Sequence, residues 1–180
     1  MNILIIVGSL RKGSINMQLA KAIVGVGEGV NFEIADISQI PLYNGDLEAT
    51  MPETVNNLKA KIRGADGIII VTPEYNRSVP GVLKNAIDWT SRPFGDSAWA
   101  GKPVVVTGAS GGAIGTAVAQ AHLHGTLSYL DTHQMGQPEL YLGSFNTRFD
   151  AEGNITDPKT REFIANFVQK FKDHIALFKP

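Results

Sequence analysis

The chain has 180 residues, of which 43% are hydrophobic and 18% charged, and its net charge is −1. This length and balance predict one folded unit over residues 1–180 with a sizeable core, and they exclude nucleic acid or an anionic membrane as an electrostatic partner. The absence of cysteine excludes disulfides, thiolate nucleophiles and cysteine-ligated metal centres, and it accords with a reducing, cytoplasmic setting.

The apolar run Ile3 to Gly8 is too short for a secretory segment and no basic region precedes it, so it reads as a first buried strand. Ile15, Leu19, Ile23 and Val26 follow at helical spacing, and residues 31–37 alternate like a half-exposed edge strand. Val55, Leu58 and Ile62 mark a second helix after Pro52. Residues 67–72 form another buried strand, and Leu83, Ala86 and Ile87 mark a third helix opened by Pro80. A fourth strand is expected over 102–110, then a small-residue helix from about Ala113 to Leu130, and a fifth strand over 139–143. Asp157 and Pro158 begin a last helix whose apolar stripe is Phe163, Ile164, Phe167, Val168, Phe171 and Ile175. No run approaches the roughly 18 apolar residues of a membrane span.

Strands alternating with helices predict an α/β fold with a five-stranded parallel sheet, doubly wound in the flavodoxin-like order 2-1-3-4-5. In that order the first, third and fourth strands are neighbours. Their carboxyl ends carry GSLRKGSIN, TPEYNRS and TGASGGAIG, which therefore converge where open α/β sheets bind ligands.

The first of these loops offers Ser9, Arg11, Ser14 and Asn16 ahead of a helix, the donors that a phosphate dianion requires. The dinucleotide pattern G-x-G-x-x-G is absent, so Asp36, where a ribose-binding acid would sit, reads as a solvated strand end. The second loop is stiffened by Pro73, and Glu74, Tyr75 and Asn76 offer a flat face and backbone groups to a heteroaromatic ring. The third, with Ser110 and Gly111, lets backbone N–H groups approach the pyrimidine end of such a ring and favour negative charge there. GASGG around Ser110 also matches a hydrolase nucleophile turn. Of the acids and histidines that follow, Asp131 and His133 are too close together, and Asp150 or Asp157 with His174 would put the histidine on the last helix rather than in a loop, so the agreement of the three loops is preferred. His122 and His124 are two apart on a helix and point different ways, so no metal site is expected.

On these three motifs the chain resembles the NADPH-dependent FMN reductase family, in particular its branch of chromate, quinone and azo-dye reductases. The resemblance spans GSLRKGSIN, PEYNRSVPGVLKNAIDW and GASGGAIG. It implies FMN held at its phosphate by Ser9, Arg11, Ser14 and Asn16. It places the ring against Pro73, Glu74, Tyr75 and Asn76, closed by Ser110 and Gly111. It further implies NADPH or NADH as co-substrate, a small-molecule electron acceptor such as a quinone, and a homodimer or homotetramer formed through the helix bearing Leu83, Ile87 and Trp89. No side chain is expected to act as catalytic acid or base, because the flavin carries the chemistry. The expected kinetics are ping-pong, with both substrates using one site. The competing reading is a flavodoxin-type electron carrier or a flavin-binding regulatory protein. A carrier docks through strong acidity, and the net charge of −1 lacks it.

Overall fold

The computed structural model describes residues 1–178. The strands are β1 (Asn2–Val7), β2 (Asn31–Ala35), β3 (Gly67–Val71), β4 (Pro103–Ala109), β5 (His133–Gln134) and β6 (Leu140–Leu142). The helices are α1 (Ile15–Val26), α2 (Glu53–Gly64), α3 (Gly81–Thr90), α4 (Ala117–Tyr129) and α5 (Pro158–Ala176). All strand pairings are parallel, in the order β2-β1-β3-β4-β5, with β6 also on β4. This is the flavodoxin-like order the sequence predicts.

The pleat of β1 sorts its side chains between two cores. Ile3, Ile5 and Val7 join the core under α1 and α5, while Leu4 and Ile6 join the one under α2, α3 and α4. β3 divides likewise, with Ile69 and Val71 on one face and Ile68 and Ile70 on the other. Asp157 caps α5 as expected, accepting from the N–H groups of Lys159 and Thr160, with Pro158 in the first turn. Of the predicted stripe on α5, only Phe163 stays exposed. No helix among the described residues is long and apolar enough to cross a membrane.

Three expectations change. The fifth strand is two short pieces, β5 beside Pro103 and Val104 and β6 beside Thr107 to Ala109. Pro138, which has no N–H to donate to a ladder, lies between them. Helix α4 starts at Ala117 rather than near Ala113, because Gly111, Gly112 and Gly115 precede it and Gly115 takes φ +70°. Leu83, Ile87 and Trp89 face inward: all three are buried in this one chain. Trp89 Nε1 donates to the Pro41 carbonyl at 2.8 Å, and its ring meets Tyr43 edge-on at 5.0 Å. The loop after β2 therefore covers the tryptophan that the sequence assigns to a subunit contact.

Gly108, inside β4, sets how closely β3 and α4 approach that strand. A Cβ there would collide with the Thr72 carbonyl oxygen and with Thr116 Oγ1, and the first is backbone that cannot swing away. Gly108→Ala should lower the unfolding free energy by about 1–3 kcal/mol. Chemical denaturation measures this, and an unchanged midpoint would contradict the packing described.

Candidate functional site

The turns after β1, β3 and β4 meet at the carboxyl edge of the sheet. Ser9, Arg11, Ser14, Ile15, Asn16, Pro73, Glu74, Tyr75, Ala109 and Ser110 line a cavity of about 300 Å³. A second, of about 390 Å³, continues from it, sharing Glu74 and Ser110 and adding Asn76, Arg77 and Gly112 to Gly115. All ten residues singled out from sequence border this trough or, in the case of Gly111, sit between two residues that do.

The first loop keeps its donors open. Ser14 caps α1, its Oγ accepting from Met17 N–H at 3.3 Å. The Ser14 N–H donates to the Arg11 carbonyl, but the N–H groups of Ser9 to Gly13 bond to no described residue. The Arg11 guanidinium is exposed and likewise has no partner among the described residues. A phosphate would meet a free cation and several free N–H groups here. Gly8 leads into this loop under Leu83 and Pro73, where a Cβ would come within 3.0 Å of Leu83 Cδ2.

Asn16 behaves differently from its neighbours. It is buried, and its amide is used on both sides by one residue: Nδ2 donates to the Ala109 carbonyl at 3.0 Å, and Oδ1 accepts from Ala109 N–H at 2.8 Å. Its side chain fastens the first loop to the end of β4.

The second loop is a tight hairpin. Tyr75 and Ser78 exchange two backbone hydrogen bonds, and Asn76 and Arg77 between them take φ of 50° and 60°. The Glu74 carboxylate reaches the start of α4. Its Oε2 accepts from Val118 and Ala119 N–H at 3.0 and 3.2 Å, and its Oε1 from Arg77 at 3.2 Å. One turn later His122 Nδ1 lies 3.0 Å from Ser78 Oγ. His124 turns elsewhere, to Gln134 at 2.7 Å. Tyr75 keeps 49% of its surface exposed beside the trough.

The third loop has a sorted polarity. The Ser110 and Gly112 carbonyls accept from Phe145 and Ser144 N–H, and Ser110 Oγ also donates to the Gly112 carbonyl. The N–H groups of Gly111 to Gly115 donate to no described residue. Two of the loop's carbonyls are thus engaged, and its N–H groups are left without a protein partner beside the cavity. Gly143 makes this bracing possible, because a Cβ there would strike the Ala113 carbonyl. Ser110 has no histidine partner: His133 stacks on Phe178 and His174 bonds the His133 carbonyl. Asp36 lies outside this trough, its carboxyl held below the usual range chiefly by the Ser38 N–H. Near the third loop, burial first and then the bond to Glu139 push the Tyr141 phenol up to about 12.

Arg77, Ala113, Ile114 and Gly115 belong to the trough and were not singled out from sequence. For Arg77 a signal existed: Asn followed by Arg, in place of Asn-Gly, marks a hairpin that keeps a side chain where glycine is the cheaper choice.

The model of the NADPH-dependent FMN reductase family matches residues 1–147. A 2-hydroxy-1,4-benzoquinone reductase of a Burkholderia species is 49% identical over 95% of this chain and 94% of its own. A quinone reductase of Escherichia coli K12 is 40% identical over 99% and 97%. In structure, the flavoenzyme NAD(P)H:(acceptor) oxidoreductase FerB of Paracoccus denitrificans superposes with a TM-score of 0.93, at 44% identity and 98% coverage of both chains.

The geometry assigns Asn16 a bracing role that is independent of ligand. Asn16→Ala should lower the unfolding free energy of cofactor-free protein by about 1–3 kcal/mol, the cost of leaving buried backbone groups unpaired. Urea denaturation decides it, and unchanged stability would return Asn16 to a purely ligand-binding role.

Proposed function

The chain belongs to the NADPH-dependent FMN reductase family and is an oxidoreductase, and we propose that it holds FMN across its three loops and reduces quinones with NAD(P)H. The observation that carries this reading is the pairing, in one trough, of a free cation-bearing loop with a wall of free N–H groups. FMN, when bound, supplies the two-electron transfer that no side chain here can perform.

The chain's own residues then bind, orient and balance charge. Ser9, Arg11, Ser14 and the N–H groups between them take the phosphate, and Asn16 holds their loop against β4. Pro73, Tyr75 and Asn76 support the ring on one side, with Ser110 and Gly111 on the other. Glu74 acts through its position, locking the hairpin to α4. The free N–H groups of Gly111 to Gly115 favour negative charge at the ring's polar end.

Overall, NAD(P)H gives up two electrons and one proton, and the quinone takes up two electrons and two protons. The second proton comes from solvent: among the described residues Glu74 is the only carboxylate lining the trough, and it is engaged by α4 and Arg77. Quinone acceptors are supported by the activities named for the Burkholderia and E. coli relatives. With one trough and no second nucleotide motif, nicotinamide and acceptor occupy the same place in turn.

Self-association remains part of this reading, through a different surface. Leu42 and Phe94 are 85% and 88% exposed, and both lie on segments flanking the buried Trp89. A contiguous apolar patch marks a contact surface, and on this reading these two side chains join in one. A Leu42→Asp, Phe94→Asp double variant should sediment as a monomer where the unaltered chain sediments as an oligomer. A monomeric unaltered chain at micromolar concentration would refute it.

FMN should bind much more tightly than riboflavin, because charge-assisted hydrogen bonds to phosphate contribute roughly 1.5–3 kcal/mol each. Arg11→Ala should weaken FMN by about tenfold or more, and its exposure keeps the loss at the lower end of that range. Flavin fluorescence titration measures both; equal affinities for FMN and riboflavin would remove the phosphate assignment. Initial rates with NAD(P)H and 1,4-naphthoquinone should give parallel double-reciprocal lines. Negligible turnover would favour an electron carrier, and intersecting lines would give the two substrates separate places.

A further inference from the structure

We infer that Arg77 selects the acceptor: its guanidinium binds an anionic oxygen on the quinone, so that ionised hydroxyquinones are preferred to neutral ones. This rests on the quinone-reductase reading and names a residue for it.

The backbone gives the first reason. Arg77 sits at the hairpin tip with φ 60°, a region that disfavours any side chain with a Cβ and costs about 1–2 kcal/mol. Glycine or asparagine would relieve that strain. An arginine kept there calls for a use of its side chain.

The surroundings give the second. Arg77 lines the 390 Å³ cavity together with Asn76, Gly112 and Ile114, next to the free N–H row. Of its five N–H donors one is engaged, to Glu74 Oε1 at 3.2 Å, and its side chain is 68% exposed. Glu74 offsets part of this charge, and the N–H groups at the positive end of α4 share that carboxylate through its other oxygen. The cavity mouth therefore presents the unengaged guanidinium donors on one side and Ile114, which is 54% exposed, on the other. A flat molecule with one anionic oxygen matches both.

Rigidity gives the third. The two Tyr75–Ser78 backbone bonds, the Ser78–His122 contact and the Glu74 clamp fix the base from which Arg77 extends. A charge presented from a fixed base loses less on binding than one on a mobile loop.

The test is calorimetric titration of the oxidised, FMN-loaded enzyme with 2-hydroxy-1,4-naphthoquinone, a vinylogous acid ionised at neutral pH, and with neutral 1,4-naphthoquinone. Without NAD(P)H neither turns over, so binding is read directly. In Arg77→Ala the ratio of the two affinities should move about tenfold against the hydroxyquinone, the scale of one partly exposed charge-assisted bond. Arg77→Lys should keep most of the preference, and added salt should reduce it in the unaltered enzyme. Arg77→Gly, which suits the positive φ, must repeat the alanine result and covers any folding defect of that variant. Equal weakening of both quinones, or an unchanged ratio of their affinities, would overturn the assignment. An unaltered enzyme that binds FMN but neither quinone would refute the acceptor class, and one that binds no FMN would refute the proposed function itself.

Discussion

Two hydrogen bonds between the Asn16 amide and the backbone of Ala109 join the loop after β1 to the end of β4. β3 lies between those two strands, so the bond spans the centre of the sheet's carboxyl edge. Everything proposed for the site depends on that span. The free donors of residues 9–13 and those of Gly111 to Gly115 belong to separate turns, and only a fixed distance between the turns lets one molecule meet both. Because Asn16 is buried and its amide satisfied, the spacing is present before any ligand arrives. Ordering the loops is then not charged against binding.

The same logic governs polarity. In the third loop the Ser110 and Gly112 carbonyls accept from Phe145 and Ser144, and the N–H groups of Gly111 to Gly115 have no partner among the described residues. In the second loop Glu74 does the converse: its carboxylate turns to the start of α4, and Arg77 remains at the rim. The Glu74 carboxylate and two loop carbonyls are engaged by protein donors, while the loop N–H groups and all but one of the Arg77 donors are left open. The trough is consequently disposed toward anions although the whole chain carries a charge of −1.

Much of this was legible in the sequence. Continuous branched runs gave β1, β3 and β4, and the half-exposed alternation of residues 31–37 placed β2 at an edge, from which the strand order followed. Asp157 and Pro158 announced the start of α5 by capping chemistry alone. The convergence of three loops came from the order of strands and held. The rest was illegible for identifiable reasons. Asn16 and Glu74 have the right chemistry for a ligand, and sequence does not reveal that a backbone 93 residues away, or a helix end 44 away, already claims each side chain. The burial of Trp89 within one chain is not legible because its cover, Pro41 and Tyr43, comes from a loop with no periodic pattern. The split of the fifth strand turned on Pro138, whose effect on a ladder depends on where the ladder runs. For Arg77 the Asn-Arg pair signals a hairpin, but residue type alone does not disclose the positive φ at its tip.

The central claim is that one FMN spans these loops with its phosphate in the first and its ring between the second and third. A crystal structure of the FMN complex tests it most directly. The account predicts phosphate oxygens within hydrogen-bond distance of the Arg11 guanidinium and the N–H groups of residues 9–14, with the ring's polar edge facing the Gly111 to Gly115 donors. Phosphate density elsewhere, or a ring whose polar edge faces solvent, would contradict it.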